Sequence, residues 1–282
     1  MQVMGTVDKT GLHPDWLVPD WPAPAHVRAV FTTRSGGVSP APFDSFNLGD
    51  HVNDNADNVA ANRLLLADAL QAQPVYQRQV HGTAVLPLTP GRGQEVVAPT
   101  ADACVTEHPG QVCTIMVADC LPVLFTTRDG SVVGAAHAGW RGLCNGVLEA
   151  TLEEINKLRH NSIGFNASKN IANDVLAWLG PAIGPTAFEV GAEVRQAFLD
   201  ASADPLQTDA LFVSQDHGKY LANLSALARQ RLVNAGIPHV FGNDGSLPWC
   251  TVSNTSHYFS HRRDAVRLGS TGRMAACIWL NG

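Results

Sequence analysis

Charge, cysteine and long apolar runs are all scarce in this 282-residue chain. Only 16% of its residues are charged, against the usual ~25%. Its 19 basic residues are outnumbered by 25 acidic ones, for a net charge of −6. A basic face for nucleic acid is therefore excluded, although a local pocket for a small anion is not. Hydrophobic residues make up 45% of the chain, which excludes a disordered polymer. No stretch of ~18 apolar residues occurs, and Asp119 interrupts the most apolar run, Val112–Thr127. A membrane span, and hence a membrane partner, is not expected. Six cysteines are too few for a disulfide framework and read as core thiols or metal ligands. The first residues carry Asp8, Lys9 and Asp15 but no apolar core, so a cytoplasmic location is expected rather than a secretory signal.

No internal repeat and no Pro/Ser linker divides the chain. Residues 1–26, with Trp16, Pro19, Trp21, Pro22 and Pro24, read as an ordered extended arm before a single domain over 27–282. Alternating or continuous apolar runs predict strands at Val27–Thr33, Val75–Val80, Thr83–Leu88, Ala101–Thr106, Val112–Ala118, Val123–Thr127, Ser131–Ala136, Val175–Leu179 and Met274–Leu280. Helical spacing predicts helices at Asp57–Leu70, Asn145–Leu158, Glu193–Asp200 and Leu221–Ala235. Arg34–Gly49 is a long loop, of a length that is usually functional or disordered. Residues 159–173 read as a polar, irregular excursion. The mix lacks regular βαβ alternation and predicts an α+β fold, with mixed sheets flanked by helices.

The most informative stretch is Ala118–Gly146. Asp129-Gly130 between two apolar runs signals a hairpin. A two-residue turn there sets His137 opposite Pro122, with Cys120 on the same face as His137; a four-residue turn sets Cys120 directly opposite His137. Either way the two side chains converge, ~7–8 Å apart at the Cα level in the diagonal case. Pro122, lacking an amide donor, is expected to end the pairing near Cys120. After His137, the Gly139–Gly142 turn leads into a helix, and Arg141 adds positive charge suited to an anion. Taken singly, Cys120 and His137 are equally readable as core residues.

These motifs, ADCLPVLF and GAAHAGWRG, with QVHG (Gln79–Gly82), TTRSGGVSPAPFDSFNLG (Thr32–Gly49), WLGPAIGP (Trp178–Pro185) and TGRMAACIWL (Thr271–Leu280), resemble the YfiH/laccase-domain family over most of the chain. The resemblance implies a cytoplasmic bacterial α+β enzyme, whose fold is similar to that of the cytotoxic necrotizing factor toxins. It implies a metal, zinc with copper as the alternative, held by His81, Cys120 and His137. It implies phosphorolysis of purine nucleosides, with adenosine deamination and methylthioadenosine phosphorolysis. The family also carries an earlier label for multicopper polyphenol oxidation, and some members are described as peptidoglycan-precursor editing factors. The chain departs from the pattern at 159–173 and at His261–Ser270.

The residues weigh these options. Two His and one Cys suit zinc and leave a fourth position open, the catalytic arrangement, in which a bound water has a pKa lowered towards ~7. The cytidine-type deaminase signature is absent. A multicopper cluster would need paired H-x-H histidines, and none occurs. Arg34 with Gly36 and Gly37, and Arg141 with its glycine turn, are candidates for the phosphate. Asn47 is a candidate for ribose hydroxyls; Arg34 is otherwise a solvated charge and Asn47 a turn residue. Phe31, Phe43, Phe46 and Trp140 could stack on a base or serve as core. Asp102 or Asp119 could orient a ligand histidine, with Asp119 on the strand face opposite Cys120. His257 and His261, in SHYFSHRR, read as loop or strand residues rather than a helical metal pair. Two further readings are a Cys–His amidase with Cys120 as nucleophile and His137 as base, and a non-catalytic metal-dependent binding module.

Overall fold

Continuous burial along the central strands explains why the chain can spare so little charge. The computed structural model describes residues 11–91, 98–163 and 171–282. One sheet has four strands in the order β1 (Val27–Phe31), β13 (Met274–Leu280), β5 (Gln111–Val117) and β2 (Gln73–Val75). A second has six, ordered β12 (Val240–Gly242), β8 (Val175–Leu179), β6 (Leu121–Thr127), β7 (Val133–Ala138), β4 (Ala103–Thr106) and β3 (Val85–Pro87). A small third sheet runs β10 (Phe212–Ser214), β11 (Lys219–Ala222), β9 (Glu189–Gly191). The first two sheets mix parallel and antiparallel pairs, and helices pack outside them, so the α+β expectation holds.

The two large sheets pack face to face. Phe31, Ile115, Ala276 and Ile278 of the first meet Cys104, Leu124, Ala135 and Trp178 of the second. The opposite face of the second sheet, with Val123, Phe125 and Ala136, packs on α2 (Trp140–Asn145), α3 (Val147–Ile163), α4 (Ala192–Asp200) and α6 (Leu224–Asn234). The outer face of the first, with Val30, Met116 and Cys277, is covered by Trp16, Phe46 and α1 (Ala56–Leu70). Strands covered on both faces read as unbroken apolar runs, as in β6 and β13, where every residue is buried. Each fully buried Leu- or Phe-sized side chain contributes ~1.5–3 kcal/mol. Among the described residues no helix is long and apolar enough to cross a membrane.

Most sequence-predicted elements are present, and the departures are local. The strand expected at Val75–Val80 stops at Val75, because residues 76–80 leave the sheet to carry His81. The helix expected at Asn145–Leu158 starts at Val147, because Gly146 at φ 98° separates it from α2, which ends at Asn145. The helix from Val147 runs on to Ile163, so residues 159–163 are helical rather than irregular; 164–170 lie outside the described residues. Lys219–Ala222 forms strand β11, and α6 starts only at Leu224, where Asn223 caps it. His261–Leu268 is a helix, α7, capped by Ser260, and α5 (Pro205–Asp209) completes the set. Residues 11–26 contain no helix or strand of their own, but Leu17 bridges to Phe31 and Trp16 packs on Phe46.

The long 34–49 loop is held in place by α1. Asn55 caps the helix, and Val59, Asn62, Leu66 and Leu70 line its buried side. Within that stripe the Asn62 amide donates to Ser39 Oγ, Ser45 O and Asn47 O, and its oxygen accepts from Val38 N. This satisfied buried polar group fixes the loop's path.

Candidate metal centre

The hairpin carries the expected register. His137 pairs with Pro122, and Cys120 sits one residue before β6. Pairing does not stop at Pro122, contrary to expectation. The Pro122 carbonyl faces the β8 side, where it accepts from Gly180 N, so the missing N–H also faces that side, beyond the last β6–β8 pair at Val123. His81 arrives from a different chain segment, in the left-handed region at φ 60°. The three side chains offer ligand atoms that all lie within 4.8 Å of one another. Cys120 Sγ and His81 Nε2 are 3.6 Å apart, and the His81 and His137 ring centroids 4.8 Å. His137 is buried, Cys120 half-buried and His81 exposed, so the cluster opens to solvent on one side.

One carboxylate organises this arrangement. Asp102, fully buried at the start of β4, accepts four hydrogen bonds. Val80 N (3.1 Å) and Gly82 N (2.7 Å) donate to Oδ2; His81 N (2.8 Å) and His137 Nδ1 (2.9 Å) reach Oδ1. Burial pushes the Asp102 carboxyl up, but the His137 and backbone donors outweigh it and hold it below the ordinary value. An ionised carboxylate only accepts, so His137 donates from Nδ1, leaving Nε2 available to a metal. Gln79 pins the same loop by a reciprocal pair with Met116, its amide donating to Met116 O and its oxygen accepting from Met116 N, each at 2.8 Å. Gly139 allows the close approach: a Cβ there would lie 2.7 Å from His81 Cδ2 and 2.9 Å from Cys120 Sγ.

Burial pushes the Cys120 thiol up, but His137 and His81 pull it down to about 6. Burial lowers His137, but the Cys120 thiolate and Asp102 raise it to about 9. Without metal the pair is a thiolate and an imidazolium at neutral pH. Two nitrogens and a sulfur at this spacing, on a cluster open to solvent at His81, fit a zinc or copper ion with an open position.

The profile of the family described as multi-copper polyphenol oxidoreductase laccase matches residues 28–281. The chain belongs to that family. It is 48% identical over 267 residues to the Escherichia coli (strain K12) protein named purine nucleoside phosphorylase YfiH, covering 94% of this chain and 98% of that one. It is 33% identical over 276 residues to purine nucleoside phosphorylase YlmD of Geobacillus stearothermophilus, covering 93% of each. The crystal structure of a DUF152-family protein from Neisseria meningitidis is similar at TM-score 0.83 and 41% identity, covering 95% of this chain and all of that one.

Other residues expected at the site of this laccase-family chain are placed less uniformly. Arg141 is exposed and stacks on Trp140 at 4.3 Å; Trp140 and Cys120 line one cavity, and Arg141 is not part of its wall. Arg34 lies on a separate open depression, its guanidinium bound to Asp44 and to Thr255 O. Asn47 is a correction. It is fully buried, its amide donating to Gly49 O and Asp54 and its oxygen accepting from Gly49 N and Arg273 N, so nothing is left for a ribose. Phe31 and Phe46 are core, as is Phe43. His257 lines a different hollow from His261, which faces the cavity beside Cys120; His261 starts a helix rather than lying in loop or strand. Asp119 is not bound to a ligand histidine: it takes Thr251 Oγ1, Ser260 Oγ and Arg262 N. Sequence reasoning missed Arg273, a half-buried cation whose pKa burial lowers and Cys120 and Asp119 raise. Its only sequence signal was the TGR motif.

Proposed function

We propose that this chain is a zinc-dependent purine nucleoside phosphorylase that also hydrolyses adenosine to inosine and ammonia. The observation that carries this is the His81–Cys120–His137 cluster, in a chain nearly half identical to proteins named purine nucleoside phosphorylase. Zinc, when bound by those three side chains, supplies a Lewis acid at its open position. The chain's own residues do the rest. Asp102 holds His137 in one tautomer and His81 in its turn, so the donors are set before substrate arrives. Phosphorolysis needs a phosphate held beside C1′ while the base departs as an anion. Arg141, exposed and stacked on Trp140, and Arg273, whose pKa burial lowers and the Cys120 charge raises and whose Nη1 donates to Thr271 O and Gly272 O, are the cations we assign to it. Arg34, occupied by Asp44 and Thr255, is given no part in it. Six unpaired cysteines, five of them buried, support a reducing, cytoplasmic setting.

The test is product analysis. Zinc-loaded protein given inosine and phosphate should release hypoxanthine and ribose 1-phosphate, and release should stop without phosphate. No turnover of inosine, adenosine or methylthioadenosine by zinc-loaded protein would sink the reading.

A Cys–His amidase acting on a peptidoglycan precursor is the second reading. It is favoured by the Cys120 thiol at about 6 beside a His137 that Asp102 orients. It requires a free thiolate, so alkylation of Cys120 would abolish amidase activity in protein already stripped of metal.

A further inference from the structure

Beside the cluster lies a cavity of about 140 Å³ whose wall includes Cys120, Trp140, Ile183, Phe188, His261 and Arg262. These come from four separate places: the start of β6, the first turn of α2, the segment between β8 and β9, and the first turn of α7. The lining is mostly apolar with a few polar groups, the usual make-up of a small-molecule site. Each aromatic ring on the wall has an arginine near one face, Arg141 at 4.3 Å from Trp140 and Arg262 at 5.7 Å from Phe188.

The polar groups of the wall divide into committed and uncommitted. The Arg262 guanidinium donates to Ala187 O (3.3 Å) and Glu189 O (3.0 Å), clamping the segment that carries Phe188 to α7. Asp119 holds three segments at once. Its carboxylate accepts from Thr251 Oγ1 (2.5 Å), Ser260 Oγ (3.1 Å) and Arg262 N (2.6 Å), and its carbonyl accepts from Ile183 N (2.9 Å). It adopts φ 85°, a conformation that non-glycine residues keep only when their surroundings enforce it. His261 is different: it is exposed, and among the described residues its imidazole has no hydrogen-bond partner.

We propose that this cavity is the base pocket of the site. A purine stacks on Trp140 and Phe188, and His261 reads the base's polar edge. Asp119 is a positioning residue that keeps α7 and the Phe188 segment against the strand end carrying Cys120. This rests on the nucleoside reading above. A flat aromatic base suits two aromatic walls, and stacking on such rings strengthens binding by about tenfold or more per base. An imidazole has one donor and one acceptor nitrogen, so it can meet the 6-oxo edge of hypoxanthine or the 6-amino edge of adenine.

Inosine binding to zinc-loaded protein without phosphate, followed by turnover with phosphate, tests the pocket. His261→Ala should weaken inosine binding and raise KM about tenfold, with zinc content and melting temperature at their wild-type values. His261→Asn, which keeps a donor and an acceptor, should recover part of the loss. Phe188→Leu, which keeps the wall apolar but removes the ring, should weaken binding by a similar factor. Wild-type binding and KM in both His261→Ala and Phe188→Leu would overturn the proposal, as would a wild-type protein that binds no purine nucleoside. Inosine binding that weakens in the variants, in a wild type that does not turn it over, would leave the pocket standing and refute the phosphorylase reading instead.

Discussion

Replacing Asp102 with asparagine keeps the shape of the side chain and removes its ability to accept on both sides. In the native site one carboxylate takes three backbone N–H groups and His137 Nδ1, two on each oxygen. An asparagine offers one oxygen and one NH2, so two donors face another donor. Hydrogen bonds to a charged group contribute ~1.5–3 kcal/mol each, and the surviving pair would lose its charge assistance. The exposed His81 turn can relax towards water, which recovers part of the loss, so a net cost of about 3–5 kcal/mol is expected. Against a total stability of ~5–15 kcal/mol this lowers the melting temperature by many degrees. The same change frees the His81 turn and the His137 tautomer, which should weaken metal binding ~10–100-fold. Zinc titration against a competing chelator, with thermal unfolding of both proteins, reads the two effects. The sign with pH follows from the lowered Asp102 pKa: its contribution is present above ~4 and is lost as pH falls further. An Asp102→Asn protein that holds zinc within threefold of wild type and melts with it would refute the organising role.

In chelator-treated protein, alkylation of Cys120 should rise with pH through about 6, and His137→Ala should move that step upward. Because the Cys120 pKa is depressed to about 6 and the His137 pKa raised to about 9, metal-free protein should lose stability as pH falls through about 6 and change little from there to about 9, where folded and unfolded pairs bind the same number of protons; denaturant midpoints across pH would show it. Gly139→Ala should cost ~1–3 kcal/mol of stability and much of the metal affinity, because the new Cβ meets both His81 and Cys120; unchanged zinc affinity would contradict this. Asn47→Ala should destabilise by about 2–4 kcal/mol while inosine KM, measured well below the melting point, stays as in wild type.

What could be read from the sequence follows the strength of the local signal. Asp129-Gly130 between two β-rich runs determined the hairpin register, and with it the meeting of Cys120 and His137. The buried strands β8 and β13 showed as unbroken apolar runs and were placed to the residue. Helix α7 escaped because Asp264 is the only buried residue among its eight, so it has no apolar stripe; its cap, Ser260, was the available clue. The strands β9, β10 and β12 are three residues each, too short for a period to show. His81 came only from family resemblance, since no pairing rule links residue 81 to residue 120. Asp102 stood beside Asp119 as an equal candidate until its four donors appeared together. Arg34 was read as a phosphate ligand for its guanidinium beside Gly36 and Gly37, and Asn47, in the same loop, as a ligand for ribose hydroxyls. A sequence does not show that Asn62, Asp54, Asp44 and Thr255 occupy that loop's polar groups first.

Metal content per chain in wild type and in His81→Ala, Cys120→Ala and His137→Ala tests the centre most directly. Wild type should carry one zinc per chain, and each variant should lose it together with phosphate-dependent hypoxanthine release. A variant that keeps a full equivalent of zinc would remove that residue from the centre, and the retention of zinc by all three would contradict the account.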